Sequence, residues 1–436
     1  MNPEFRRQLW LGLSATRLAI LPALLLACFV AAFLTGADRT TSVQAITFTG
    51  AGLFAVLVWG MGTLAAGASV TDEITERTWD QQRMSAMQPW AMTWGKLAGA
   101  SAYGWYGGAL CLLIALPAAL MSEQVSGQGD KVIQAALSAI LFGLLLQALL
   151  IAVNLQLVKT GGSIARRGGA WSLVAVLVWG VMPLLGVTRE LTVTWWGQSF
   201  NNFNFALASM ALFAACALVA AWRSMAEVLA VRQLPWGWPA LALLITAYLS
   251  GFAPAHRTAT LGAVGLVTCA ALTYFALLTE PQPRPLWQRV LTRLASGQWR
   301  STLLQLPRWP TTLLLAVPFA LLASLSLSQP NATPWLAAEQ IMLHPIAFLL
   351  LMVRDCALAL FFAFDAKNRR AVTAFLLLMA VLYGLLPWLV GAAGGGYLLG
   401  MVNPLLAKGA ISILYAALHA AVALGLLRWR WQTTAT

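Results

Sequence analysis

Apolar stretches of bilayer-crossing length recur along the whole chain, and that recurrence restricts the fold more than any other feature. A helix needs about 20 apolar residues to cross the hydrocarbon core of a membrane. Candidate spans lie at 18–36, 46–68, 97–120, 132–158, 171–187, 203–222, 239–253, 258–278, 311–328, 346–364, 371–391 and 408–427. Such runs are roughly twice the length of a transmembrane barrel strand, and in lipid only helices and closed barrels satisfy their own backbone. The expected fold class is an all-α integral membrane protein of about 12 transmembrane helices. Composition agrees, because charged residues make up only 9% of the 436 positions. A soluble protein carries about 25%, so too little polar surface exists here to cover a water-facing globule.

The formal net charge of +13 raises the question of nucleic acid. The basic residues form no single patch, however; they recur between the apolar runs. With twelve crossings, 21 Lys and Arg fall on the amino-terminal side and 5 on the other, with Arg354 inside a span. A missed span would exchange every later loop, so the asymmetry supports the span count. The positive-inside rule then expects both termini in the cytoplasm of a multi-pass plasma (bacterial inner) membrane protein, with the basic loops on anionic lipid rather than nucleic acid. Arg6, Arg7 and Arg17 ahead of an apolar run mimic a signal peptide, but Leu18–Leu34 is long enough to span and reads as an uncleaved first helix.

The spans divide into two halves of six, 1–224 and 225–436, each with its long loop between its second and third span: 70–96 in the first and 280–310 in the second. This is a repeat of topology without a residue-level repeat, a plan common among transporters. The five cysteines, at 28, 111, 216, 269 and 356, sit singly within apolar segments and read as small core residues.

Loop 70–96 carries the strongest signal. Four of the chain's fourteen acidic residues, Asp72, Glu73, Glu76 and Asp80, fall within nine positions. Glu73 precedes Arg77 by four, the favourable order for a helical ion pair. Met84, Met87, Ala91 and Trp94 fall near one helical face, and Pro89 suits the first turn of a new helix. The reading is a short amphipathic surface helix, a break, and a helix leading into the third span.

This segment resembles the loop of type-2 exporter permeases, the membrane subunits of ATP-binding-cassette (ABC) transporters. Glu73 and Glu76 match that family's paired acids, Thr78 its threonine, and Asp80 the acid that follows. Pro89-Trp90 matches its turn, and Gly95-Lys96 the start of its next span. Arg77 stands where the family usually has glycine, and Ala86 where proline is common. Asn403-Pro404, between the last two spans, is a further likeness. The resemblance implies a coupling helix, with Asp72, Glu73, Glu76, Arg77, Thr78, Asp80, Arg83, Pro89, Gly95 and Lys96 forming the loop that docks on a separate ATPase subunit. Trp79, Trp90 and Trp94 would anchor it at the interface. No GxxxxGK[ST] phosphate loop occurs. The chain is therefore expected to bind no cofactor and to be a permease rather than an enzyme, with ATP used by partner subunits. One chain could equal a permease pair, or pair with a second permease chain.

Weaker signals lie within the spans. Arg354-Asp355 interrupts the tenth apolar run, and charge at that depth marks function by default. Neighbours on a helix point to different sides, so the two are not expected to pair simply with each other; alternatively the span ends near Val353 and Arg354 snorkels to the surface. His419 and Asn154 read as interhelical hydrogen-bonders, and Gly104, Gly107 and Gly108 as close-packing positions. Loop 280–310, with five arginines and three tryptophans, reads either as a segment lying on anionic lipid or as a second coupling element. No hydrolytic, redox or metal constellation is present. The rival readings are an ion-gradient-driven secondary transporter and a non-transporting membrane scaffold; the cargo is not legible.

Overall fold

The computed structural model describes residues 2–76, 78–85, 87–122, 129–159, 192–231, 233–253, 257–327, 344–365, 370–407 and 409–433. It is helical, as expected of an integral membrane protein of this class. Nine helices among the described residues are long and apolar enough to cross a bilayer, and Gly237–Ser250 and Trp309–Leu325 are shorter apolar helices. Each expected span has a helix at its place except 171–187, which lies outside the described residues. One departure from the all-α expectation is a two-stranded hairpin, β1 (Thr192–Trp195) and β2 (Gln198–Asn201). Trp196 and Gly197, both at positive φ, make its turn.

The chain forms two compact units, with the later boundary after Gln233 rather than after 224. The first contains α1 (Pro3–Gly12), α2 (Ala15–Thr35), α3 (Arg39–Thr75), α4 (Trp79–Arg83), α5 (Pro89–Ala100), α6 (Ala102–Leu120), α7 (Gly129–Lys159) and α8 (Asn202–Val228). Local chemistry sets the starts. Asn2 accepts from the backbone N–H groups of Glu4 and Phe5, with Pro3 in the first turn. Asp38 and Thr41 form a capping box at α3, and Asn201 caps α8. Pro89 opens α5 as its sequence position predicts.

Helix α3 has 37 residues, about 55 Å at 1.5 Å per residue. The hydrocarbon core is roughly 30 Å thick, so α3 exceeds the bilayer's apolar depth. Its middle, Ala55–Gly62, is π-helical. Gln147 of α7 donates to the Val58 carbonyl there (3.2 Å) and accepts from the Trp105 indole (3.0 Å). A polar side chain from a neighbouring helix thus serves the carbonyl of an irregular turn.

Interior and exterior follow membrane rules. Large apolar side chains such as Leu24, Phe33, Phe48 and Leu113 are exposed, while helix contacts are lined by small residues. A Cβ at Gly104 would lie 2.6 Å from the Leu57 carbonyl, and one at Gly108 would lie 2.3 Å from a Val58 methyl. The glycines expected to permit close packing do so against α3. Cys111, Cys269 and Cys356 are buried and unbridged, as core residues.

The second unit contains α9 (Gly237–Ser250), α10 (Arg257–Thr279), α11 (Arg284–Ala295), α12 (Trp299–Leu303), α13 (Trp309–Leu327), α14 (Pro345–Ala363), α15 (Ala371–Ala392) and α16 (Ala410–Thr433). The packing scheme repeats within each unit. The helix before the long loop packs on the helix after it, α3 on α6 and α10 on α13. The helix after that packs on the last one, α7 on α8 and α14 on α16.

Amphipathic α1 crosses α5 at close range. A Cβ on Gly99 would meet the Gln8 Cβ at 2.6 Å and the Phe5 carbonyl at 3.1 Å. Gly99→Ala is therefore expected to destabilise the detergent-purified protein by about 1–3 kcal/mol through overpacking. Gly12→Ala, with nothing within 4 Å of the new methyl, should leave the thermal unfolding midpoint unchanged.

Candidate functional site

Among the described residues, a cluster of charge is buried in each unit. In the first, the cluster ties α1 and α5 to the end of α3. Lys96 is completely buried on α5. Its ammonium bonds Glu4 (3.1 Å), the Ser69 carbonyl (3.2 Å) and Glu73. Glu4 also accepts from Arg7 (2.9 and 3.0 Å) and Gln8 (2.9 Å), and Arg7 pairs with Glu73 as well. Two carboxylates thus face two cations, and the cluster is neutral. Gly95 completes it by its smallness, since a Cβ there would lie 2.7 Å from the Glu4 Cβ and 2.8 Å from the Phe5 amide nitrogen. The Gly-Lys pair therefore does two jobs: glycine admits α1, and lysine neutralises what α1 brings.

The residues of the loop divide into inward and outward groups. Glu73, Gly95 and Lys96 belong to the buried cluster. Thr78 closes the C-terminus of α3, its N–H and hydroxyl both donating to the Glu73 carbonyl (2.9 and 3.2 Å). Trp79 is buried with its ring 5.7 Å from the Lys96 ammonium. It seals the cluster and so does not serve as the expected interface anchor. Asp72, Glu76 and Asp80 are exposed. Trp90 and Trp94 stack with centroids 6.5 Å apart and are both exposed. The chain breaks between α4 and α5, so Met84, Met87, Ala91 and Trp94 share no continuous helix face. Arg77 and the side chain of Arg83 lie outside the described residues, and with them the expected Glu73–Arg77 pair; the partners of Glu73 here are Arg7, Gln8 and Lys96. Sequence reasoning missed Glu4, Arg7 and Gln8; their signal was a carboxylate and an amide four apart on a short amphipathic helix.

The second cluster sits mid-helix in α14. Arg354 and Asp355 are both buried, and α14 continues to Ala363, so Arg354 points into the helix packing. Contrary to expectation the neighbours do pair: the guanidinium curls back so that Nε lies 2.8 Å and Nη2 2.7 Å from Asp355 Oδ1. Four carbon–carbon and carbon–nitrogen torsions give arginine that reach. The helices around supply the rest, as anticipated for partners. Tyr274 of α10 and Tyr383 of α15 each donate to Asp355 Oδ2 at 2.8 Å. Arg354 Nη1 lies 3.2 Å from His419 Nδ1 on α16, and its guanidinium lies over the Tyr383 ring. Guanidinium has no acceptor, so Nδ1 accepts and His419 is neutral. Tyr383 lies in a π-helical turn, Val381–Leu385, a distortion frequent at functional sites. Asn154, in the first unit, donates to the Gly67 carbonyl (3.1 Å), an interhelical bond as read.

Loop 280–310 of the second unit is stapled as well. Arg308, at the start of α13, pairs with Glu280, at the end of α10 (3.0 Å), and covers Trp238. Gln282 accepts from the indoles of Trp287 and Trp309 at 3.3 Å. Among the described residues no group of three His, Cys, Asp or Glu side chains is placed to hold a metal ion. Comparison with protein-family models, curated proteins and solved structures returns no match.

Burial raises the Glu4 pKa, but the Arg7 hydrogen bond, the Lys96 charge and Gln8 outweigh it, and the carboxyl is held below its ordinary value. A depressed carboxyl contributes stability that is full above its unfolded value, about 4.3, and fades as pH falls toward its folded value. Glu4→Gln should therefore flatten the acid limb of the stability–pH profile below about pH 4.5, measured by thermal unfolding in detergent. Lys96→Met leaves buried carboxylates under-compensated and should cost about 3–5 kcal/mol. Glu76→Gln, on an exposed side chain, should change stability by less than about 0.5 kcal/mol.

Proposed function

We propose that the chain is the transmembrane permease of an ATP-driven ABC transporter, an exporter by its resemblance, coupled through loop 70–96 to a separate ATPase subunit. The observation that carries this reading is the mounting of that loop. A buried, neutral ionic cluster joins α1, the end of α3 and the second half of α5, while Asp72, Glu76 and Asp80 face outward beside it. Force applied to α4 from outside would pass into two spans through charge pairs whose rupture is expensive. The outward acids would set register on the partner. This chain uses no cofactor in the proposal; ATP is bound and hydrolysed by the partner, and nucleic acid plays no part.

The repeated plan supports an extension. Each unit carries a non-spanning helical segment between the same two spans, and each pairs an acid at the end of the span before the segment with a base shortly ahead of the span after it: Glu73 with Lys96, Glu280 with Arg308. One chain of twelve spans, with both termini in the cytoplasm of a bacterial inner membrane, would then supply both permease halves to a pair of ATPase subunits. The Arg354–Asp355 cluster favours the rival reading, a secondary transporter with an ion-coupling group in its core.

The test is charge reversal at the outward positions. Glu76→Lys with Asp80→Lys should leave membrane insertion unchanged while reducing co-purification of the ATPase subunit, or its stimulated turnover, at least about tenfold, the equivalent of 1.4 kcal/mol. Retained coupling in the double variant would overturn the assignment of the loop. Transport that persists without ATP and collapses with the proton gradient would replace it with the secondary-transporter reading.

A further inference from the structure

The second unit holds an open-sided groove of about 350 Å³ whose floor is Asp355. Tyr274 and Tyr383 flank the carboxylate, and Phe348, Phe375, Leu376 and Met379 form most of the remaining wall. A cavity of this size, apolar with a few convergent polar groups, has the build of a small-ligand site.

Hydrogen-bond accounting defines what it accepts. Asp355 Oδ1 faces Nε and Nη2 of Arg354, and Oδ2 receives both phenols. Both tyrosine protons are committed to the carboxylate. What Tyr274 and Tyr383 have left to offer a molecule in the groove is oxygen lone pairs, which accept and do not donate. The charges of Arg354 and Asp355 compensate each other, and His419, beyond them, is neutral. The polar end of the groove is therefore an acceptor surface without net charge, ringed by aromatic faces. An alkyl body fits the apolar wall. A hydroxyl or ammonium head donates to the phenolic oxygens, and an ammonium gains further from the aromatic rings. A carboxylate or phosphate head would set lone pairs against lone pairs in a desolvated place.

We infer that this groove binds a single-chain amphiphile with a hydrogen-bond-donating, non-anionic head, an alcohol or an amine. As a binding site the groove depends only on the second unit's own geometry; as the class of transported substrate it rests on the transport reading above. The π-helical turn that carries Tyr383 gives the site its position, bringing a phenol from α15 to the same oxygen that α10 reaches.

The experiment needs neither ATP nor an ATPase. The full chain in phosphatidylcholine nanodiscs is irradiated with three dodecyl probes bearing the same chain diazirine and differing only in head: primary amine, alcohol, carboxylate. Labelled peptides are mapped by mass spectrometry. The amine and alcohol should label the segments around Phe348 and 375–383, in competition with unlabelled dodecylamine, and the carboxylate should not. Tyr383→Phe and Tyr274→Phe remove one acceptor oxygen each and should weaken labelling by the donor heads about three- to tenfold, the worth of one hydrogen bond. Leu376→Trp fills the groove from its exposed side, leaves the polar cluster intact, and should abolish labelling by all probes. Equal labelling by the three heads would reduce the groove to a seat for acyl chains and overturn the inference, as would labelling indifferent to Leu376→Trp. Either result leaves the coupling role of loop 70–96 to its own test.

Discussion

The compensation of Lys96 is the constraint on which the first unit depends. An ammonium with no exposure costs several kcal/mol unless opposite charge lies within bonding distance, and here that charge comes from two separate elements, Glu4 of α1 and Glu73 of α3. The consequences propagate. Helix α1 must cross α5 closely, so positions 95 and 99 must be glycine-sized. Two carboxylates on one lysine need a second cation, which Arg7 supplies. Once Glu73 is drawn inward, Asp72 and Glu76 stay exposed at the surface.

The second unit obeys the same rule with different residues. Glu280 and Arg308 take the staple position between its loop-flanking helices. Its deepest charges, Arg354 and Asp355, are neighbours that compensate each other and recruit hydroxyl and imidazole groups from three surrounding helices. Low dielectric strengthens such a network and equally penalises each unmet group. That explains why both oxygens of Asp355 accept hydrogen bonds and why the tyrosines meet the groove only with their oxygens. What remains after the buried charges are satisfied differs between the units: exposed acids beside the cluster in one, a groove beside the cluster in the other.

Much of the architecture was open to reading because it depends on sums over long windows. Helix positions follow from apolar runs, and glycines 104, 107 and 108 announce close packing. The site was only half open. The loop was found, yet the i,i+4 rule, which knows only its own helix, could not show that Glu73 also bonds Arg7 and Lys96, 66 and 23 residues away. Arg354 and Asp355 were separated because adjacent Cβ atoms diverge, a rule that holds for short side chains and fails for one as long as arginine. Trp79 looked like an interface residue because tryptophan favours interfaces, while in the structure it seals a buried lysine.

Composition and periodicity, then, were enough to establish a helical body with helices of bilayer-crossing length, the place of the expected spans among the described residues, and the loop in which charge concentrates, since transfer of apolar surface is additive and local to each segment. Which carboxylate turns inward, which cation answers it, and where an arginine folds back on its neighbour were settled only by packing. Charge compensation in a low-dielectric interior depends on how side chains are brought together by packing: Lys96 meets Glu4 and Glu73 from distant parts of the chain, and even the adjacent Arg354 and Asp355 pair only in the side-chain conformation that their surrounding helices support.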